Sequence, residues 1–462
     1  MKTKTSADAM VIFGISGDLA KKMTYISLYR LEETHKLDCK VIGVAMDDWT
    51  RDKLVEVMHD SIAASGVKVD EHVFGRLAGR IGFISGDFLQ DSTYDALTKA
   101  LKDLPIRLFY LEIPPSLFAP VAHKLSATGL AKSSRVLFEK PFGRDLDSAV
   151  ALNAELHQEL TEDQILRIDH FLGKQPVLDL QFLRFANAWL EPLLSREHIS
   201  AIQINMTEDF GVEDRGAFYD PVGAVRDVVQ NHLMQVLALA VMDAPTSSSY
   251  DALWDRKVDI YRAMPEVDPK HVVRGQYNGY LKVPGVAPHS HTETYVAMRF
   301  ELDNWRWSGV PIFLRAGKAL AKTATELRFI FKHPPRLPYL GRERRHSPNQ
   351  LILRIDPDPG LRMEFLSQSA DETGVATVTM DLPFAKELGR SPEPYERLLG
   401  DAVSGNRSLF ARQDAVEETW RIINPSLDDK KVPVPYEKGS WGPSEADDIV
   451  RGHLGWQVPW TG

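Results

Sequence analysis

From the start of the chain to about residue 170, short apolar runs rich in β-branched and aromatic residues alternate with stretches of helical periodicity. The runs are "AMVIFG", "CKVIGVAM", "IGFISG", "IRLFYLEI", "RVLFEK" and "QILRID". That alternation predicts a parallel, doubly wound sheet. The first run passes through "GISGDLA" directly into "KKMTYISLYRLEE", where Leu19, Met23, Ile26 and Leu28 supply the buried side of a helix. Past residue 180 the rhythm changes. Strand-like runs such as "ISAIQINMTE", "TYVAMRFEL", "VPIFLRAG", "TELRFIFK", "NQLILRI" and "LRMEFLS" follow one another, with long helical segments only at about 222–243 and 391–403. Strand after strand without a helix between them favours an antiparallel sheet. The expected fold is an α/β Rossmann-like N-terminal domain, residues 1–175, plus a larger C-terminal α+β domain, residues 176–462, with a predominantly antiparallel sheet.

The segment 223–243, "GAVRDVVQNHLMQVLALAVMD", is bounded by Pro221 and Pro245 and is expected to form one helix. At helical spacing Val225, Val228, Val229, Val236 and Leu239 make an apolar stripe that also carries His232. Asp227, Asn231 and Gln235 form a polar column beside it. A histidine on such a stripe is either a satisfied core residue or a proton acceptor near neutral pH.

Composition narrows the class. The chain of 462 residues is 44% hydrophobic and 26% charged, a globular balance with material for two cores. Its one cysteine, Cys39, excludes an intrachain disulfide framework and a cysteine-based zinc site, and no metal is expected. The N-terminus lacks the pattern of a signal peptide and no apolar stretch reaches membrane-spanning length, so the chain reads as cytoplasmic with no membrane partner. A formal net charge of -9 argues against nucleic acid as a partner, so an anionic substrate would be met by local lysines. The most basic stretch, "KHPPRLPYLGRERRH" at 332–346, reads as a solvated loop.

Candidate chemistry gathers at the expected strand ends. Gly14 and Gly17 in "GISGDLA", followed by a helix with free N–H groups, suit either a phosphate anion or simple turn geometry. The second strand ends at Met46, Asp47 and Asp48. An acid there hydrogen-bonds a free ribose 2′-hydroxyl; two acids also suit the cap of the next helix. "RVLFEKPFG" ends in Glu139, Lys140 and Pro141, and the peptide before Pro141 is a candidate for the cis form. Lys140 is either a crevice lysine or a surface charge. "RIDHFLGK" sets Asp169, His170 and Lys174 within one short stretch, and a carboxylate able to orient a histidine is what a general base requires.

Together "GISGDLAKK", "FEKPFG", "RIDHFLGK", "GAVRDVVQNHLMQ" and "LRAGKAL" closely resemble the glucose-6-phosphate dehydrogenase family in order and spacing. "EIPPSLFAPVAHKL" and the late "EPYERLLGDAVSGNRSLFARQDAVEETWRIINP" extend the resemblance over nearly the whole chain. It implies an active site between the two domains, and a homodimer or homotetramer built on the second. It implies oxidation of glucose 6-phosphate to 6-phosphogluconolactone, with hydride passing from C1 to a nicotinamide cofactor, in the oxidative pentose phosphate pathway. Carried over position by position, His232 is the base that takes the proton of the anomeric hydroxyl, and Asp169 is its carboxylate partner. Lys140 lies near the reacting hydroxyl and the nicotinamide. His170 and Lys174 grip the phosphate dianion, while Glu208, Asp227 and Lys318 bind sugar hydroxyls. Gly14, Ser16, Gly17, Asp18, Leu19, Met46, Asp47 and Lys140 contact the cofactor.

The departures from the family pattern matter as much. NADP is the cofactor the resemblance implies, but Met46 stands where NADP users carry arginine and Asp47 would repel a 2′-phosphate, so these two residues suggest NAD. Met23 and Thr323 replace basic residues, with Lys322 one place from Thr323, and Asp356 stands where "R-[IV]-Q-P" is usual. Each change removes positive or adds negative charge near places where the family handles phosphates. A dehydrogenase of another hexose phosphate, such as the galactose epimer, and a non-catalytic paralogue acting as a partner subunit are the alternatives. Retention of Lys140, Asp169, His170, Lys174, Glu208, Asp227, His232 and Lys318 favours an enzyme.

Overall fold

The structure, a computed structural model, describes residues 5–335, 347–369, 375–389, 391–429 and 431–460. Residues 336–346, most of the basic stretch, lie outside the described residues. Among the described residues no helix is long and apolar enough to cross a membrane.

Six strands form the first sheet: β1 (Ala9–Phe13), β2 (Lys40–Ala45), β3 (Ile81–Ser85), β4 (Arg107–Leu111), β5 (Ser134–Phe138) and β6 (Ile165–Arg167). All pair in parallel, in the order β3-β2-β1-β4-β5-β6. Every residue of β1 is buried, which is why the run is unbroken apolar rather than alternating. Phe13 packs edge-on against Phe88, with ring centroids 5.8 Å apart, and Phe118 against Phe138 at 5.2 Å. The strand order reverses between β1 and β4, and at such a switch point the carboxyl ends of the strands leave a crevice.

Nine strands form the second sheet: β7 (Ile199–Thr207), β8 (Val272–Tyr277), β9 (Tyr295–Phe300), β10 (Ile312–Gly317), β11 (Ala324–Phe331), β12 (Gln350–Asp356), β13 (Gly360–Gln368), β14 (Val375–Pro383) and β15 (Val434–Tyr436). Their order is β14-β13-β12-β11-β7-β10-β9-β8-β15. Pairing is antiparallel except β7 with β10 and β8 with β15. The expected mostly antiparallel sheet is present.

By compactness the chain divides into two units. The first is Met1–Gly173 with Ser249–Trp254 and Pro392–Glu417; the second is Lys174–Ser248, Asp255–Ser391 and Glu418–Gly462. This grouping differs from a linear split at 175/176 because the late helix Pro394–Ser404 buries Tyr395, Leu398, Leu399, Ala402 and Val403 within the first unit. Ala7 donates its N–H to Val403 O at 2.8 Å, and a Cβ on Gly173 would lie 2.6 Å from Pro394 O.

Two helices wind differently from expectation. In the segment 223–243, Val225–Leu233 is π-helical and only Met234–Val241 is α-helical. The Met234 N–H reaches Val229 O, five residues back. An i→i+5 ladder brings residues five apart onto neighbouring positions of one face; Val225, Val229, His232, Val236 and Leu239 of the expected stripe are buried all the same, and only Val228 departs from it. Val228 is only half-buried, whereas Gln230 and Leu233 are buried. The expected polar column breaks too, since Gln235 is buried. After the glycine turn, Ala20–Thr24 is likewise π-helical before the α-helix Tyr25–Glu33. Of the four residues expected on its buried side only Leu28 is fully buried; Ala20, Thr24 and Tyr25 do the packing.

Candidate active site

In the first unit the site is built on strand ends. Gly14 closes β1 with φ +84°, and a Cβ there would lie 2.3 Å from Glu112 O, so only glycine fits. Gly14 donates its N–H to Val44 O at 2.8 Å, and Gly17 donates to Gly14 O at 2.9 Å. The Tyr25 hydroxyl holds the turn from beneath through Ile15 O at 2.5 Å. Gly17 and Asp18 are exposed, Ser16 and Leu19 half-buried. This open turn at the mouth of a helix has the shape a pyrophosphate needs. Ser16 donates its hydroxyl to the Asp47 carboxylate, joining the turn to the end of β2, where Met46 is 67% exposed. The next helix, Arg51–Ala64, is capped by Thr50, whose Oγ1 accepts from Lys53 N at 3.2 Å. The two acids are therefore free of the capping role.

Two acids that the sequence reading did not single out, or passed over, lie beneath the turn and Lys140. Glu112, after β4, accepts from the Thr24 hydroxyl. Glu139, after β5, accepts from the Tyr110 hydroxyl at 2.5 Å and from Tyr395 at 3.3 Å. Burial pushes Glu112 up to about 8 and Glu139 up to about 7, with the hydroxyl donors opposing the rise. The Tyr395 ring lies nearly parallel to the His170 ring, 12° off at 6.4 Å. So Glu139, directly before the half-buried Lys140, fixes the aromatic platform on which His170 rests. The Lys140–Pro141 peptide is cis. Asp169, 4% exposed, accepts the Phe171 N–H on Oδ1 at 3.0 Å, which starts the short 3-10 turn His170–Gly173.

In the second unit the functional groups come from distant places in the chain. Lys318, just past β10, and Glu208, just past β7, form an ion pair, held by Glu208 N–H donating to Gly317 O at 2.9 Å. The Lys318 ammonium lies 5.5 Å from the Tyr219 ring and 5.4 Å from that of Phe210. Burial pushes the Tyr219 phenol well up, helped by the charges of Asp227, Glu293 and, more weakly, Glu208. Glu208, Asp227 and Lys318 are thus gathered about Tyr219, a residue with no local signal in "GAFYD". Gly223, φ +72°, lets Glu293 approach, and the Glu293 carboxylate accepts the Val225 N–H at 3.1 Å at the start of the π-helical segment. There it meets the positive end of the helix. Five residues separate Asp227 from His232, which is 2% exposed, so the π winding sets both on one side. Lys174 precedes the helix Gln175–Phe185 and pairs with Asp356. Thr323 donates its hydroxyl to Asp209 at 2.7 Å, so this departure from the family pattern is spent on a carboxylate.

A parallel sheet with reversed strand order and a glycine turn at its switch point defines a dinucleotide-binding fold, here followed by a large antiparallel sheet. The profile described as "Glucose-6-phosphate dehydrogenase, NAD binding domain" matches residues 11–179, and that of the "C-terminal domain" matches 181–457. The chain belongs to the glucose-6-phosphate dehydrogenase family. It is 52% identical over 455 residues to glucose-6-phosphate 1-dehydrogenase 1 of Mycobacterium tuberculosis, covering 98% of this chain and 97% of that one. A crystal structure of glucose-6-phosphate 1-dehydrogenase from Mycobacterium avium superposes with a TM-score of 0.93 at 54% identity, covering 99% of this chain and all of that one. A glucose-6-phosphate dehydrogenase in complex with its substrate glucose-6-phosphate superposes with a TM-score of 0.91 at 32% identity, each chain covered in full.

Proposed function

We propose that this chain oxidises glucose 6-phosphate to 6-phosphogluconolactone, with His232 taking the proton of the anomeric hydroxyl and Asp169 as its carboxylate partner. The nicotinamide group, when bound, supplies the hydride acceptor. Glu208, Asp227 and Lys318 hold sugar hydroxyls, His170 and Lys174 hold the phosphate, and Lys140 serves the reacting hydroxyl. Gly14, Ser16, Gly17, Asp18 and Leu19 bind the pyrophosphate part of the cofactor. The observation that carries this reading is the gathering of Glu208, Lys318 and Asp227 about Tyr219, Asp227 lying on the π-wound segment that also bears His232. Anchoring a remote phosphate lets binding energy position the reacting carbon.

On the cofactor, the proposal is NAD in preference to the NADP the family suggests. The Asp47 carboxylate already receives the Ser16 hydroxyl, and in the same way it would receive a ribose 2′-hydroxyl while repelling a 2′-phosphate. The proposal includes a homodimer or homotetramer in the cytoplasm, feeding the oxidative pentose phosphate pathway. The test is the initial rate of nicotinamide reduction with glucose 6-phosphate, NAD and NADP being run side by side over a wide range, and with galactose 6-phosphate as a control. Activity mainly with NAD is expected. Activity mainly with NADP overturns the cofactor reading alone, a preference for the galactose epimer overturns the substrate, and silence in the folded protein overturns the enzyme.

A further inference from the structure

We propose that Asp356 is a built-in competitor for the substrate's phosphate: its carboxylate occupies Lys174, and glucose 6-phosphate binds by displacing it. This inference rests on the reading of Lys174 as a phosphate ligand. Lys174 Nζ lies 3.0 Å from Asp356 Oδ2, across 182 residues of sequence. The lysine has extended backbone, φ -70° and ψ 128°, immediately before the helix Gln175–Phe185, which packs on β12. Asp356 is the last residue of β12. The carboxylate therefore takes the ammonium group that a phosphate would find there. A monoanion stands where a dianion is to bind.

The pair is built to exchange. The Lys174 side chain is only 18% exposed, so the ammonium is held in place, whereas the Asp356 side chain is 53% exposed and can turn into water. Ion pairs with one partner this open contribute little, so a dianion with a second ligand outcompetes the acid. The neighbouring basic group does not replace Lys174 as the acid's partner: Arg354 Nε donates to Asp358 O at 2.7 Å, and its guanidinium lies 4.2 Å from the Trp460 ring. The word here is Arg354-Ile355-Asp356-Pro357, and a glutamine in the third place would be neutral and leave the ammonium charge uncompensated. Asp356 thus sets affinity for the phosphorylated sugar without touching the reacting carbon, and makes the enzyme respond at higher substrate concentrations.

The experiment compares Asp356→Asn, Lys174→Ala and the double variant by steady-state kinetics, with inorganic phosphate as a competitive probe and unphosphorylated glucose as a control. Asp356→Asn is expected to lower KM for glucose 6-phosphate and Ki for inorganic phosphate by about two- to fivefold, the scale of one partly exposed pair. KM for glucose and kcat should stay as they were, and the gain should vanish in the Lys174→Ala background. An unchanged or raised KM in Asp356→Asn, with Lys174→Ala impaired, overturns the competitor and leaves the phosphate site standing. A gain that persists without Lys174, or that extends to glucose, also overturns it. If Lys174→Ala leaves KM and phosphate inhibition untouched, the reading of Lys174 itself falls.

Discussion

The two units treat their carboxylates in opposite ways. In the first, the half-buried Glu112, whose carboxyl is withdrawn from water, and the buried Glu139 meet hydroxyls, those of Thr24, Tyr110 and Tyr395, and desolvation drives both toward the protonated form near neutral pH. In the second, Glu208 and Asp356 meet the ammonium groups of Lys318 and Lys174 at partly open positions. A carboxyl group in a dry setting with hydroxyl partners acts as a fixed neutral brace. One paired with a lysine at the edge of solvent can be exchanged for a group on a substrate. The contrast gives the first unit a rigid frame for the glycine turn and Lys140, and gives the second the ionic contacts that the proposed function hands to a sugar phosphate.

The hardest test of that division is to remove the proposed base from the second unit. His232→Asn should lower kcat by about 10²- to 10⁴-fold, the usual worth of a positioned general base, while KM for glucose 6-phosphate stays within about twofold. Steady-state kinetics on the folded variant measure both. A loss of less than about tenfold would move the proton chemistry away from the π-helical segment.

A smaller effect should follow from breaking the Glu208–Lys318 pair. Lys318→Met keeps most of the length of the side chain beside Tyr219 and Phe210 but strands Glu208 at a site 22% exposed. Stranding a fully buried acid costs about 3–5 kcal/mol and an exposed one under about 1 kcal/mol. Folding stability should therefore drop by about 1–2 kcal/mol, and kcat/KM by about tenfold, the worth of one hydrogen bond from a charged donor to the sugar. Because Glu208 is assigned to a sugar hydroxyl, glucose should lose as much as glucose 6-phosphate. A defect confined to the phosphorylated sugar would place Lys318 at the phosphate instead.

What could be read in the sequence follows the same line between the units. The six parallel strands were legible because burial on both faces turns them into apolar runs, and the glycine turn because φ +84° at Gly14 suits glycine alone. In the second sheet β8, β14 and β15 were missed. β8 contains Gly275, where a Cβ would crowd Tyr295 and Tyr436; β14 is exposed along most of its length; and β15 is three residues on an edge with Pro435 in the middle. The π winding was invisible because an apolar period of 3.6 presupposes i→i+4 bonds, so Asp227 was matched with Asn231 instead of with His232. The departure at Asp356 could be seen in the word R-I-D-P, but its partner, 182 residues away, could not. Tyr219 and Tyr395 owe their places to packing and hydroxyl contacts that no short motif encodes.

The gentlest test addresses the brace in the first unit. The Glu112 carboxyl is raised from an ordinary 4.5 to about 8, chiefly by burial. Between those two values the folded chain keeps a proton that the unfolded chain has released, so stability falls as pH rises through that window, by at most about 1.4 kcal/mol per pH unit for this one group. Glu112→Gln keeps an acceptor for Thr24 and removes the titration. Wild type and variant should therefore melt at similar temperatures near pH 5, with the variant more stable at pH 8 by about 7–14 °C, since about 3.5 kcal/mol is lost over that window and a domain of this size shifts by about 2–4 °C per kcal/mol. Thermal midpoints across pH 5 to 8 measure the difference. Parallel curves would mean that Glu112 does not hold a proton that the unfolded chain lacks, and the contrast between a neutral brace and exchangeable ion pairs would then rest on Glu139 alone.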